Sequence, residues 1–107
     1  MKIAVAADTA ERDARVSMHA ARAPFYLAYE ENGAFAGAIS NPNSAVERGA
    51  APKAAALLRE HGIDVLVAGE FGSRFVADLE DAHITFVRDS GAVADVVSKV
   101  LGHTGNA

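Results

Sequence analysis

The sequence predicts an α/β domain built on a five-stranded mixed sheet with three helices, and two observations lead there. Residues 3–39 read as three strands, the last two flanking Glu31-Asn32-Gly33, whereas from Pro52 onward helix and strand signals alternate. Ile3-Ala4-Val5-Ala6-Ala7 and Val65-Leu66-Val67-Ala68 are apolar without alternation, as expected of central strands covered on both faces.

The elements follow in order. The first strand ends near Ala7, and Asp8 to Ala23 is a polar connection of a length uncommon in small domains unless functional or disordered. Val16 and Met18 are its main apolar anchors, so a mobile loop is expected. Phe25 to Glu30 and Ala34 to Ile39 flank Asn32-Gly33, a pair that takes the positive φ angles of a tight hairpin, so these strands should be antiparallel neighbours. Asn41-Pro42-Asn43-Ser44 breaks the pattern, and a second polar loop runs to about Ala51. Pro52 suits the first turn of a helix and Gly62 the position just past its end, with Ala54, Leu57, Leu58 and His61 on one face. After the strand at Val65 comes a short helix from Ser73 to Ala82, with Phe75, Val76 and Leu79 inward. Ile84 to Val87 reads as the last strand. Val93, Val96, Val97, Val100 and Leu101 form a helical stripe, and His103 to Ala107 read as a frayed tail.

No repeat, linker or low-complexity segment divides the chain, so residues 1–107 are expected to form one domain. A strand meander followed by right-handed crossovers gives the spatial order 3-2-1-4-5, with strand 2 antiparallel to the rest. Asp8, Pro24, Asn41 and Gly69 then gather at one edge of the sheet. Ligands of open α/β sheets commonly bind beyond such carboxyl ends.

Composition narrows the classes. Half the residues are hydrophobic but only 7% are aromatic, so the core is built from small side chains. The net charge of −4 argues against a nucleic-acid binder, which neutralises phosphates with lysine and arginine. Absence of cysteine excludes disulfides, thiolate zinc sites and cysteine-ligated iron-sulfur clusters. No apolar run is long enough for a signal peptide or a membrane span, so a cytoplasmic location without membrane attachment is expected.

His19 is the sharpest chemical candidate, because a neutral imidazole ligates metals and a charged one pairs with anions; it is equally readable as a solvated loop residue. Met18 offers a soft thioether or a core plug. Arg22 offers a planar fork of donors for an anion, or an ion pair with Asp8 or Asp13. Gly49 to Lys53, and Gly69 to Ser73, each lead from a loop into a helix start, where exposed N–H groups and the dipole receive anions. Gly69 taken alone reads simply as a turn former. Asp8, Asp64, Asp89, Glu70 and Glu80 raise a two-metal hydrolase reading, although only Asp8 and Glu70 should converge. His61 and His83 read as helix-end residues.

Several segments together resemble one family. They are Met1-Lys2-Ile3-Ala4-Val5, Val16-Ser17-Met18-His19 with Arg22-Ala23-Pro24-Phe25, the helix Lys53-Ala54-Ala55-Ala56-Leu57-Leu58, and Gly62-Ile63-Asp64-Val65-Leu66-Val67-Ala68-Gly69 followed by Gly72. In that order they look like the dinitrogenase iron-molybdenum cofactor biosynthesis family, which includes NifX-like proteins and the C-terminal domain of NifB. The resemblance implies a ribonuclease H-like three-layer α/β/α fold. Of the family's Ser-x-His-Phe-Gly-Arg-Ala motif, Ser17, His19, Arg22 and Ala23 are present, while Ala20 and Ala21 replace Phe-Gly. The glycine-rich run before the first helix is reduced to Gly49.

The resulting expectation is a non-enzymatic carrier that transiently binds iron-molybdenum cofactor or an iron-sulfur precursor cluster, a role in nitrogen fixation. His19 would be the metal ligand, with Ser17, Met18, Arg22, Gly49, Gly69, Gly72 and Ser73 around the cargo. Cluster-assembly proteins are the expected partners, and the chain is expected to be a monomer or weak dimer. Two alternatives stand beside it: a noncatalytic module for a small anion or a protein, and a metal-dependent phosphoester hydrolase suggested by the fold alone.

Overall fold

The computed structural model describes residues 1–11 and 13–105, with backbone only for 103–105. Strands β1 (Ile3–Ala7), β2 (Phe25–Tyr29), β3 (Phe35–Ser40), β4 (Val65–Ala68) and β5 (Thr85–Arg88) form one sheet in the order β3-β2-β1-β4-β5. β1 pairs antiparallel with β2 and parallel with β4, β2 pairs antiparallel with β3, and β4 pairs parallel with β5. Strand β2 alone runs against the others, as the sequence predicts.

Three helices cover the two faces: α1 (Ala50–Glu60), α2 (Ser73–Asp81) and α3 (Val93–Gly105). Every residue of β1 is buried, and its side chains divide by alternation. Ala4 and Ala6 join Leu58 of α1, Leu66 of β4, and Phe75 and Leu79 of α2. Ile3, Val5 and Ala7 join Leu27, Val67, Val93 and Val96 beneath α3. The alanine face is thin enough for two helices to pack closely over the central strand. This is the three-layer α/β/α arrangement.

Boundaries differ from the sequence reading in places with physical causes. Helix α1 begins at Ala50, two residues before Pro52, which keeps its expected place in the first turn behind the N-cap Gly49. His61 is the exposed C-cap of α1 and does not share the inner face of Ala54 and Leu58. In the hairpin only Gly33 takes positive φ. Asn32 instead accepts a hydrogen bond from Ala34 N at 3.0 Å through Oδ1, in a loop closed by Gly33 N to Glu30 O at 2.9 Å. The loop before α1 contains an unforeseen 3-10 turn, Pro42–Ala45, capped by the Asn41 side chain. The backbone of α3 stays helical past His103 to Gly105; the rest of the expected tail, Asn106 and Ala107, lies outside the described residues. Among the described residues no helix is long and apolar enough to cross a membrane.

Candidate functional site

The connection between β1 and β2 is laced to the carboxyl edge of the sheet. Val16 forms an antiparallel bridge to Ala7, and Ser17 N donates to Ala6 O at 2.7 Å. Val16 N donates to Gly91 O at 2.9 Å, and Val93 N to Ala14 O at 3.0 Å, tying the segment to the start of α3. It then crosses the end of β4, where Gly69 N donates to Ser17 O at 2.8 Å and Glu70 N to Met18 O at 3.1 Å. His19 forms a parallel bridge with Glu70. The expectation of a poorly anchored loop therefore fails, because backbone pairing supplies what apolar side chains do not. Met18, expected to anchor it, is 55% exposed.

Ser17 and Gly69 support the site from below. Ser17 is fully buried, and its Oγ accepts from His19 N at 3.1 Å, which bends the chain so that His19 emerges exposed. Gly69 is not a turn former: its φ is not positive. A Cβ there would stand 3.0 Å from Met18 Cα and 3.2 Å from Ser17 O, so only glycine lets the loop lie this close to the strand end.

Two buried polar side chains hold the next stretch: Tyr26, which sequence reasoning passed over, and Asn41, which it read only as a turn former at the sheet edge. Tyr26 Oη donates to Ala20 O at 2.5 Å. Asn41 Nδ2 donates to Ala21 O at 3.0 Å and Ala23 O at 2.8 Å, and its Oδ1 accepts from Asn43 N at 3.1 Å. Burial pushes the Tyr26 hydroxyl well above its ordinary range, so it remains a donor. One asparagine thus joins the His19 loop to the loop before α1. A polar residue at the end of β3, in front of Pro42, was the available signal.

Between those loops opens a cleft of about 530 Å³, bordered by Met18, His19 and Arg22, by Arg48 to Pro52, and by Gly72, Arg74 and Glu70. Met18, His19, Arg22, Gly49 and Gly72 of the expected site line it; Ser17 and Gly69 lie beneath, and Ser73 opens α2 beside it. Arg22 Nη1 donates to Val46 O and Nη2 to Glu47 O at 3.3 Å, rather than to Asp8 or Asp13. Arg48 and Arg74 were not foreseen.

The helix starts at the cleft are open. Neither Gly49 nor Gly72 provides a side-chain cap, and neither first turn contains an acidic residue. Intrahelical bonding begins with Lys53 N to Gly49 O at 3.3 Å and Val76 N to Gly72 O at 3.0 Å. The N–H groups of Ala50 and Ala51, and of Ser73, Arg74 and Phe75, therefore have no partner within their helices. Anions are stabilised at such positions by both the donors and the dipole.

The carboxylates do not assemble a metal centre. Among the described residues no three histidine or carboxylate side chains come together to hold an ion. Glu70 instead lies 4.0 Å from Arg88 in an exposed pair, and Asp64 accepts from Lys2 N at 2.8 Å at the other end of the sheet.

Known proteins place the geometry in context. The sequence profile described as dinitrogenase iron-molybdenum cofactor matches residues 1–103. No curated protein sequence matches the chain. Among solved structures, the apo form of the orange protein from Desulfovibrio gigas superposes with a TM-score of 0.88 at 26% identity, covering 95% of this chain and 88% of that one. PH0822 superposes with a TM-score of 0.79 at 17% identity, covering 96% and 92%. The Thermotoga protein TM1290, described as belonging to the DUF35 family, superposes with a TM-score of 0.77 at 22% identity, covering 95% and 87%. The last two bear on fold alone. With its sequence matched over residues 1–103, the chain belongs to the dinitrogenase iron-molybdenum cofactor family.

Proposed function

We propose that this protein is a small carrier that takes up an anionic metal-sulfur cofactor precursor in the cleft and hands it on during metallocluster assembly. Charge inversion is the observation that carries the proposal. In a chain of net charge −4, Arg22, Arg48 and Arg74 outnumber Glu47 and Glu70 around the cleft, beside two helix starts whose first turns lack acidic residues. The family's link to iron-molybdenum cofactor, and a structural relative described in an apo form, support the same reading.

The chemistry suits transfer. The exposed His19 imidazole supplies one borderline ligand to a metal of the cargo, and the open N–H groups and guanidinium groups receive its negative charge. Without cysteine the grip is one coordinate bond plus diffuse electrostatics, so the cargo leaves when a thiolate-bearing acceptor in the assembly pathway competes for it. No covalent step is required of the protein.

Anaerobic titration with isolated iron-molybdenum cofactor, followed by visible absorption and gel filtration, tests the proposal. Wild type should co-elute with the cofactor, and His19→Ala should bind at least about tenfold more weakly, one coordinate bond being the largest single contact. Its melting temperature should stay close to wild type, because the side chain is exposed. Equal binding by both proteins, or none by either, contradicts the proposal.

A further inference from the structure

We infer that the three arginines of the cleft divide their work: Arg22 is a positioning residue that fixes one wall against the other, while Arg48 and Arg74 recognise the charge of the anion. The recognition half rests on the carrier reading; the positioning half stands on the unliganded protein.

Arg22 is exposed and borders the cleft, yet its two terminal nitrogens donate to the consecutive carbonyls of Val46 and Glu47. Those carbonyls lie just before Gly49, the N-cap of α1. The residue itself sits between Ala21 and Ala23, whose carbonyls are held by Asn41 Nδ2. Arg22 is therefore a strut between the His19 loop and the start of α1. A planar guanidinium spans two successive carbonyls; a lysine ammonium is a point charge and cannot reproduce that fork.

Arg48 and Arg74 are placed differently. Both are exposed, both border the cleft, and neither side chain has a hydrogen bond or ion pair among the described residues. Arg48 immediately precedes the N-cap of α1, and Arg74 is the second residue of α2. Cations at a helix N-terminus oppose the dipole. Helix α3, which does not border the cleft, has the ordinary arrangement, with Asp95 in its first turn. Glu47 and Glu70 also border the cleft, and three arginines outweigh them. Two unpaired cations at the wrong helix ends become favourable once an anion lies between them.

Lysine and glutamine variants at each position separate the roles, with isolated iron-molybdenum cofactor as probe at low and high salt. Arg48→Gln and Arg74→Gln should each weaken binding about two- to fivefold and flatten its salt dependence, while the lysine variants stay within about twofold of wild type. Arg22→Lys, which keeps the charge, should weaken binding by about tenfold through the cost of ordering the loop, with the salt dependence unchanged, and Arg22→Gln should weaken it at least as much. In the unliganded protein, amide resonances of residues 46–51 should shift in both Arg22 variants and not in Arg74→Lys.

Rescue of binding by Arg22→Lys, or silent amides at residues 46–51, overturns the strut. Unchanged affinity and salt dependence in both glutamine variants at Arg48 and Arg74 overturns charge recognition. If wild type takes up no cofactor, the carrier reading and the recognition half fall together, and the amide shifts alone decide the strut.

Discussion

Helices α1 and α2 are finished at one end and unfinished at the other. At the C-terminus of α1, Gly62 N donates to Arg59 O at 2.9 Å and Ile63 N to Leu58 O at 3.0 Å. At the C-terminus of α2, His83 N donates to Glu80 O at 3.0 Å and Ile84 N to Leu79 O at 2.9 Å. Both are Schellman closures, which satisfy the last carbonyls and lead straight into β4 and β5. The N-termini of the same helices have no side-chain cap, no acidic residue, and arginines alongside. Helix propensity cannot explain a contrast between two ends of one helix. The finished ends face the strand starts, and the unfinished ends border the cleft, so stability is concentrated at one edge of the sheet and unused donors at the other.

The largest effect should come from filling the seam beneath the site. In Gly69→Ala the new Cβ meets Met18 Sδ at 2.7 Å, which can swing away, but also Met18 Cα at 3.0 Å and Ser17 O at 3.2 Å, which cannot. The loop must lift, at a cost of about 2 kcal/mol, the usual scale of overpacking. A urea midpoint within experimental error of wild type would show that the loop is loosely laid on β4 and that the edge is not rigid.

Arg74→Glu sharpens the contrast by finishing an unfinished end. An acidic residue in the first turn of α2 should raise stability by about 0.5–1 kcal/mol through the dipole while lowering cofactor affinity. Gain of stability without loss of binding would detach Arg74 from the site. At the finished end, His83 is the single non-glycine among the described residues with positive φ, at 59°, in the place Gly62 fills for α1. His83→Gly should stabilise the fold by about 0.5 kcal/mol, the left-handed cost being partly offset by the freedom glycine has in the unfolded chain. Binding should not change.

The finished parts were the legible ones. Strand order, the antiparallel β2, Gly62 past α1 and the position of His83 follow from local patterns in which each residue acts on its near neighbours. The cleft was half legible. His19 and the two helix starts could be found because they lie in a long polar connection and beside glycines. Arg48 and Arg74 were missed because a single arginine reads as solvated surface until the fold brings both to one cleft. Tyr26 and the anchoring role of Asn41 were missed for a related reason: their partners are backbone carbonyls of Ala20, Ala21 and Ala23, which leave no trace in side-chain identity. Gly69 was misread because its requirement is a close approach across the chain rather than a turn angle.

Uptake of the cargo at the unfinished edge of the sheet is tested most directly by amide resonances of the isotope-labelled protein. On anaerobic addition of isolated iron-molybdenum cofactor, residues 18–22, 47–51 and 70–75 should shift or broaden, while residues 30–34, 61–64 and 82–85 at the finished edge should stay in place. Perturbation centred on the finished edge, or spread evenly over both, would contradict it.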